Sequence, residues 1–197
     1  ARGSTHPNPL NVARQAIRFG ADSITIHLRE DRRHIKDNDL KAIKKKLNIP
    51  LNLEIAPTKE MLKIALKYKP NFVCIVPEKR SEVTTEGGLN LNRKKSFLKK
   101  IVMKLKQKNI RVSLFIEPKI SDIQIAKKLN VNAIELHTGK FCNIFKRNKN
   151  VKSEFYRIFR SALYAKKIGL DVHAGHGLTY TTASKISKIK FITEFNI

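Results

Sequence analysis

Short runs of aliphatic and β-branched residues alternate along this chain with longer stretches in which apolar positions recur every third or fourth residue. An unbroken apolar run of four to eight residues suits a buried strand, and a period of 3.6 suits a helix with one covered face. The alternation therefore predicts successive βα units and a parallel sheet. The first helix opens after Asn8 with Pro9 in its first turn, buries Val12, Ala13, Ala16 and Ile17, and stops at Gly20, before a strand from Ser23 to Leu28. Asp37 or Asn38 can cap a second helix whose Leu40, Ile43 and Leu47 share a face, and Leu51 to Ile55 reads as the next strand. Thr58 restarts the cycle: Met61, Leu62, Ala65 and Leu66 form a stripe ended by Pro70, and Phe72 to Val76 has strand length.

The rhythm continues with a helix carrying Phe97, Leu98, Ile101, Val102 and Leu105, a strand from Arg111 to Ile116, and a shorter helix around Ile123, Ala126 and Leu129. Ala133 to His137 is a strand, Phe155 to Lys167 a helix, Leu170 to Ala174 a strand, Thr182 to Ile189 a helix and Thr193 to Ile197 a last strand. Seven strands in βα units, with no Gly-rich dinucleotide fingerprint, favour an α/β fold of the TIM (β/α)8 barrel type over an open doubly wound sheet. Such a barrel closes with eight strands, so one is missing from the count. The loop-like start at Ala1-Arg2-Gly3 and the apolar end at Ile197 read as a chain cut at both ends.

The length of 197 residues and 41% hydrophobic content suit one core and a single domain over 1–197. The formal charge of +25 raises nucleic acid as a partner, because clustered cations neutralise phosphates. The lysines, however, fill the polar positions of helices, as at Lys41, Lys44, Lys45 and Lys46 and from Lys94 to Lys106, and no nucleic-acid signature accompanies them. We read them as solvated helix faces and expect no nucleic-acid partner, keeping a basic nucleic-acid-binding domain as the alternative. Cys74 and Cys142 form no C-x-x-C pair and no zinc spacing, so no metal is expected. No run approaches the roughly 18 apolar residues of a membrane span and no segment resembles a signal peptide, so neither a membrane partner nor export is expected, and the default location is cytoplasmic.

In a barrel of this kind chemistry sits at the C-terminal ends of the strands. The strand ending at His27-Leu28 runs directly into Arg29-Glu30-Asp31-Arg32-Arg33-His34. Arg forks bind phosphate oxygens and a histidine can move protons near neutral pH, although a salt-bridged surface turn has the same composition. Glu54, in Leu51-Asn52-Leu53-Glu54-Ile55-Ala56, is a candidate general base if it points into the barrel, or a structural carboxylate satisfied there. Val76 to Gly88 is a long polar loop with hydroxyls and paired glycines. Glu135 and His137 share one side of their strand and either line the site or support it. In Val172-His173-Ala174-Gly175-His176-Gly177-Leu178, His176 can donate a proton while Gly177 offers an N–H to a phosphate; an exposed glycine-rich turn is the plainer reading.

Taken in order, Ala1-Arg2-Gly3, HLREDRRH from His27 to His34, Asn52-Leu53-Glu54, VPEKR from Val76 to Arg80, EVTTEGG from Glu82 to Gly88, and AGHGLTY from Ala174 to Tyr180 resemble the pyridoxine 5'-phosphate synthase family across nearly the whole chain. The resemblance implies a condensation of 1-deoxy-D-xylulose 5-phosphate with 3-amino-2-oxopropyl phosphate, releasing phosphate and water, with no metal or organic cofactor. It further implies His27 and Glu54 as proton acceptors and His176 as proton donor. Arg29, His34 and Thr84 are then contacts to the deoxyxylulose phosphate, and Arg2 and Gly177 contacts to the amino-ketone phosphate. Such proteins assemble as homo-oligomers, typically octamers. This chain departs from the pattern at His173, where the family commonly has Asn. The family's first strand and its Gly-rich phosphate loop fall before Ala1 and after Ile197, so the chain by itself is expected to be inactive. Another phosphate-binding barrel enzyme, or a degenerate copy, remains open at this point.

Overall fold

The structure, a computed structural model, describes residues 7–84, 87–93 and 95–197, apart from the side chain of Arg80. Helix α1 (Pro9–Arg18) begins where Asn8 accepts the N–H of Asn11 at 3.2 Å, and the chain leaves it through Gly20 at a φ of 96°, a conformation natural to glycine. Strand β1 (Ile24–His27) then leads to α2 (Asp37–Lys46), β2 (Leu51–Ile55), α3 (Lys59–Tyr68) and β3 (Phe72–Ile75). Thr58 caps α3 by accepting the N–H of Met61 at 3.3 Å. A 3-10 turn at Arg80–Glu82 interrupts the long loop before α4 (Lys95–Lys106), β4 (Arg111–Ile116), α5 (Ile120–Lys128) and β5 (Ala133–His137). The chain continues through α6 (Gly139–Lys146), α7 (Lys152–Lys167), β6 (Asp171–Gly175), α8 (Tyr180–Ile186) and β7 (Glu194–Asn196).

The seven strands are all parallel and lie in chain order in one sheet that curls into a nearly closed barrel. Outward-facing residues such as Ile26, Leu53, Val73, Leu114, Leu136 and Val172 meet the helices in one continuous core. The alternate residues face inward, where the contents are unusually polar: Thr25, Asn52, Ser113, Glu135 and His173 share that space with Cys74 and Phe115. The strand alternation thus divides a greasy outer layer from a hydrogen-bonded interior. Cross-strand register sets His27 beside Glu54, Glu54 beside Cys74, and Glu135 beside His173.

β1 and β7 are not paired; Thr25 Oγ1 donates to Asn196 Oδ1 across the opening at 2.8 Å. A cavity of about 910 Å³ runs along this seam, bordered by Ala13, Ala16, Ile24, Ile26 and Phe195. Val12, expected in the core, lines the same cavity and is 48% exposed, because α1 turns that edge toward the seam and not toward a covered sheet face. Three smaller differences concern boundaries. The residue capping α2 is Lys36, whose N–H meets Asp39 Oδ2 at 2.9 Å, and not the expected Asp37 or Asn38. β6 sits one residue later than its apolar run, and α6 occupies a stretch whose pattern gave no helix. None of the described helices is long and apolar enough to cross a membrane.

Candidate active site

A cavity of about 350 Å³ opens at the C-terminal ends of the strands, and its wall includes His27, Arg29, Glu54, Phe115, Glu135 and His176. The catalytic candidates from three strand ends thus meet in one place. His27 closes β1 with its ring held from both sides: Nε2 lies 3.0 Å from Glu78 Oε1, and Nδ1 lies 3.6 Å from Glu54 Oε2. Burial pushes the His27 pKa below its ordinary 6.5, against the opposing pull of the hydrogen bond and charge of Glu78.

Glu54 projects inward from β2 with little solvent, and burial pushes its pKa up to about 7. Glu135, on β5, is buried more deeply, and burial together with the charge of Glu54 raises it to about 8. Asn196 Nδ2 donates to Glu135 Oε2 at 2.7 Å, and the Cys74 thiol approaches the same oxygen at 3.6 Å. Two carboxyl groups therefore share the interior, and near neutral pH Glu135 is mainly the neutral acid while Glu54 is poised between its two forms.

His176 follows β6 directly and takes a φ of 80°, left-handed backbone that a histidine adopts only under constraint. The constraint is Thr138: its buried hydroxyl lies 2.7 Å from the carbonyl oxygen of Gly175 and 2.9 Å from that of His176. The His176 ring packs edge-on against His137 at 4.8 Å between centroids, and partial burial, then the charge of His137, pushes its pKa below 6.5. His137 is held in turn by Glu117, whose Oε1 lies 3.0 Å from Nδ1.

Arg29 lies on the cavity wall two residues beyond β1, 3.5 Å from Asp31 Oδ1. That contact is made by Nε, which is buried and makes no hydrogen bond of normal geometry, and it leaves the guanidinium on the cavity wall as a cation that can meet an anionic ligand. Thr84 shapes the loop after β3: its N–H donates to the Gly88 carbonyl at 2.7 Å, and its hydroxyl accepts the Gly87 N–H at 3.1 Å. That turn sets Gly87, not Thr84, on the cavity wall. Gly177, at a φ of 75°, is exposed beside His176. His34 is exposed on the loop between β1 and α2, away from the wall, and Arg2 lies outside the described residues.

Two residues of this neighbourhood, Glu78 and Glu117, escape the sequence reading as members of the site, while Glu135, which reads as lining or supporting, lines it. Glu78 and Glu117 each directly follow a strand's loop or end, the same positional signal that marked Arg29 and His176, but their partners lie on other strands. Among the described residues no group of three or more His, Cys, Asp or Glu side chains is arranged to hold a metal ion.

Comparison with known proteins places the chain in a family. The model of the family described as pyridoxal phosphate biosynthesis protein PdxJ matches residues 1–197. The chain is 57% identical to pyridoxine 5'-phosphate synthase of Pelagibacter ubique (strain HTCC1062), covering all of this chain and 82% of that protein. It is 50% identical to the protein of the same name from Ehrlichia chaffeensis and 52% identical to that of Zymomonas mobilis, covering all of this chain and 80% and 76% of those proteins. Among solved structures, phosphoribosyl anthranilate isomerase from Thermus thermophilus superposes with a TM-score of 0.62 at 13% identity, covering 95% of this chain and 82% of that one. 3-Keto-L-gulonate-6-phosphate decarboxylase from Vibrio cholerae gives 0.61 at 10% identity, covering 93% and 79%. The two solved structures establish the barrel, and the family model with the three relatives establishes that the chain belongs to the pyridoxal phosphate biosynthesis protein PdxJ family.

Proposed function

We propose that this chain carries the catalytic machinery of a pyridoxine 5'-phosphate synthase, condensing 1-deoxy-D-xylulose 5-phosphate with 3-amino-2-oxopropyl phosphate and releasing phosphate and water. The observation that supports it most is the meeting of His27, Glu54, Glu135 and His176 around one cavity at the strand ends, with Arg29 beside them. Closing a pyridine ring from an amino ketone and a ketose requires repeated proton transfers at carbon, nitrogen and oxygen. Groups that change charge near neutral pH serve that need.

Glu54, at about 7, suits a proton acceptor, with His27 as its partner. His176 suits the donor to a departing phosphate: its lowered pKa leaves it largely neutral alone, and a phosphate dianion entering beside it raises its affinity for a proton. Arg29, with His34 and Thr84 on the flanking loops, is assigned to the deoxyxylulose phosphate; Gly177 and Arg2 are assigned to the amino-ketone phosphate. Anchoring both phosphates holds the reacting carbons and nitrogen together, which lowers the entropic part of the barrier. The scheme assigns proton transfer to these side chains and calls for no metal or organic cofactor. Charged phosphate esters do not cross a bilayer unaided, so the reading carries a cytoplasmic location with it, and the family likeness carries a homo-oligomer.

The test is product formation by the full-length protein from the two phosphorylated substrates, followed by the absorbance and mass of pyridoxine 5'-phosphate. A folded, full-length protein that yields none removes the proposal. A profile of phosphorylated ligands that raise the melting temperature would then identify which other sugar phosphate the barrel accepts.

A further inference from the structure

We infer that Glu78 is a positioning residue that fixes His27 in its Nε2–H tautomer and leaves the Nδ1 lone pair as the basic nitrogen, facing Glu54 and the cavity. The inference rests on the assignment of His27 as a proton acceptor. It concerns a residue that neither touches the cavity nor was needed to assign the reaction.

The geometry is over-determined. Glu78 stands directly after Pro77 in the loop that follows β3, and its side chain is only 4% exposed. One oxygen, Oε1, meets His27 Nε2 at 3.0 Å, and the other, Oε2, accepts the N–H of Glu30 at 2.9 Å. Its own N–H and that of Lys79 donate to Glu82 Oε2 at 3.2 and 3.3 Å, so the loop backbone cannot swing the carboxylate away without breaking four hydrogen bonds. A carboxylate only accepts hydrogen bonds; the imidazole nitrogen that meets it must therefore carry hydrogen, and in neutral imidazole the other nitrogen then carries none. That other nitrogen is Nδ1, 3.6 Å from Glu54 Oε2, too far for a strong hydrogen bond and open to a proton from a substrate in the cavity.

The charged groups around the ring agree with this assignment. Glu54 approaches from β2 and Glu78 from the β3 loop, while Arg29 and Asp31 lie on the loop of His27 itself. Of the two carboxyl groups that approach the ring, Glu78 alone makes a hydrogen bond at normal length, and at the nitrogen turned away from Glu54. Glu78 also latches the loop after β1 to the loop after β3, so a merely structural role has to be separated from the electronic one. Gln at this position makes the separation: its amide oxygen can keep the Glu30 N–H, while its amide nitrogen donates to His27 Nε2 and forces hydrogen onto Nδ1.

The experiment uses the full-length protein, as wild type, Glu78→Gln and Glu78→Ala, with His27→Asn to assign the resonances. The ¹⁵N shifts of the His27 ring are read alongside kcat, KM and the melting temperature. The wild type is expected as the Nε2–H tautomer. Glu78→Gln is expected to switch it to Nδ1–H and to lower kcat by roughly 10- to 100-fold, the range typical for loss of a supporting carboxylate, with KM changed little. Glu78→Ala is expected to lose kcat and to raise KM as the latch opens. A wild-type Nδ1–H tautomer, or Glu78→Gln with undiminished kcat, overturns the inference, as does a Glu78→Gln effect confined to KM and melting temperature. The wild-type shifts decide the matter even if both variants fail to fold. Absence of product from the wild type would overturn the proposed reaction instead, and the tautomer would still be measurable.

Discussion

His137 and Glu117 form a buried pair in which a single carboxylate oxygen, Glu117 Oε1, holds both the His137 ring nitrogen Nδ1 at 3.0 Å and the backbone N–H of Gly88 at 2.9 Å. One side of this oxygen thus supports the ring against which His176 packs, and the other anchors the base of the loop that carries Thr84. Arg157 approaches the second oxygen at 3.6 Å, so the pair extends to α7.

Replacing Glu117 should accordingly affect folding and binding together. Glu117 is fully buried, and Glu117→Ala takes the shared acceptor away from the His137 ring and the Gly88 N–H, while Arg157 keeps its bonds to Glu154; removing one member of a buried pair costs about 3–5 kcal/mol. Glu117→Gln can keep an amide oxygen where Oε1 meets His137 and Gly88 while turning an N–H donor toward Arg157, and should cost less, about 1–3 kcal/mol. Denaturant unfolding measures both. For the milder variant a raised KM for the deoxyxylulose phosphate is expected from the loosened loop. An unchanged unfolding midpoint in Glu117→Ala would show that the carboxylate is not structurally required.

Glu135 should destabilise the protein as pH rises. Its pKa is about 8 in the folded chain and near the ordinary 4.5 when unfolded, so between those values the folded state binds the extra proton and stability falls with increasing pH. Glu135→Gln removes this titration while keeping an acceptor for Asn196. The variant should match the wild type in stability slope below about pH 4 and gain on it by a few kcal/mol by about pH 9. Urea midpoints at several pH values provide the check; a wild-type and variant pair that stay parallel across this window would mean that Glu135 ionises normally.

Much of this was legible in the chain because the signals were local. His27, Glu54 and His176 each stand at the end of a short apolar run, and strand-end position alone marks them in a barrel. The polar interior was not read from the chain, although Thr25, Asn52 and Ser113 occupy inward positions of their strands. Glu78 and Glu117 were not legible, because their roles depend on which strand ends meet across the barrel, a matter of register and closure that no local pattern encodes. Val12 was misread for a related reason: helical periodicity identifies an apolar stripe but not the gap at the sheet seam that it faces. Helix α6 went unseen because it is short, opens on Gly139 and draws its burial from Phe141 and Cys142 alone beyond that glycine.

Gly175 offers a steric test of where Glu135 must sit. A Cβ on Gly175 would fall on Oε1 of Glu135 and within 3.2 Å of Asn196 Cβ. The backbone there is a strand of ordinary conformation, so Gly175→Ala is a clash with the carboxyl group and not a problem of torsion angles. Overpacking of this kind costs about 1–3 kcal/mol, and the carboxyl group must move off its hydrogen bond to Asn196 to make room. The expected result is a folded protein with kcat reduced at least about tenfold. Full activity in Gly175→Ala would mean that the position of Glu135 does not matter to turnover.

His176 pairs a chemical role with a strained backbone, and two substitutions separate them. Both His176→Gly and His176→Ala remove the imidazole, so both should lose the proton donor and fall by roughly 10²- to 10⁴-fold in kcat. They should differ in stability. The φ of 80° is comfortable for glycine and unfavourable for alanine, while Thr138 keeps the carbonyls of Gly175 and His176 in place in either case. His176→Gly should therefore be the more stable of the two by about 1 kcal/mol, despite the general entropic disadvantage of glycine. Thermal or urea unfolding of the two variants settles the sign. Alanine proving the more stable would mean that the left-handed backbone relaxes once the ring is gone. In that event the strain belongs to the packing of His176 on His137, and Thr138 is not its source.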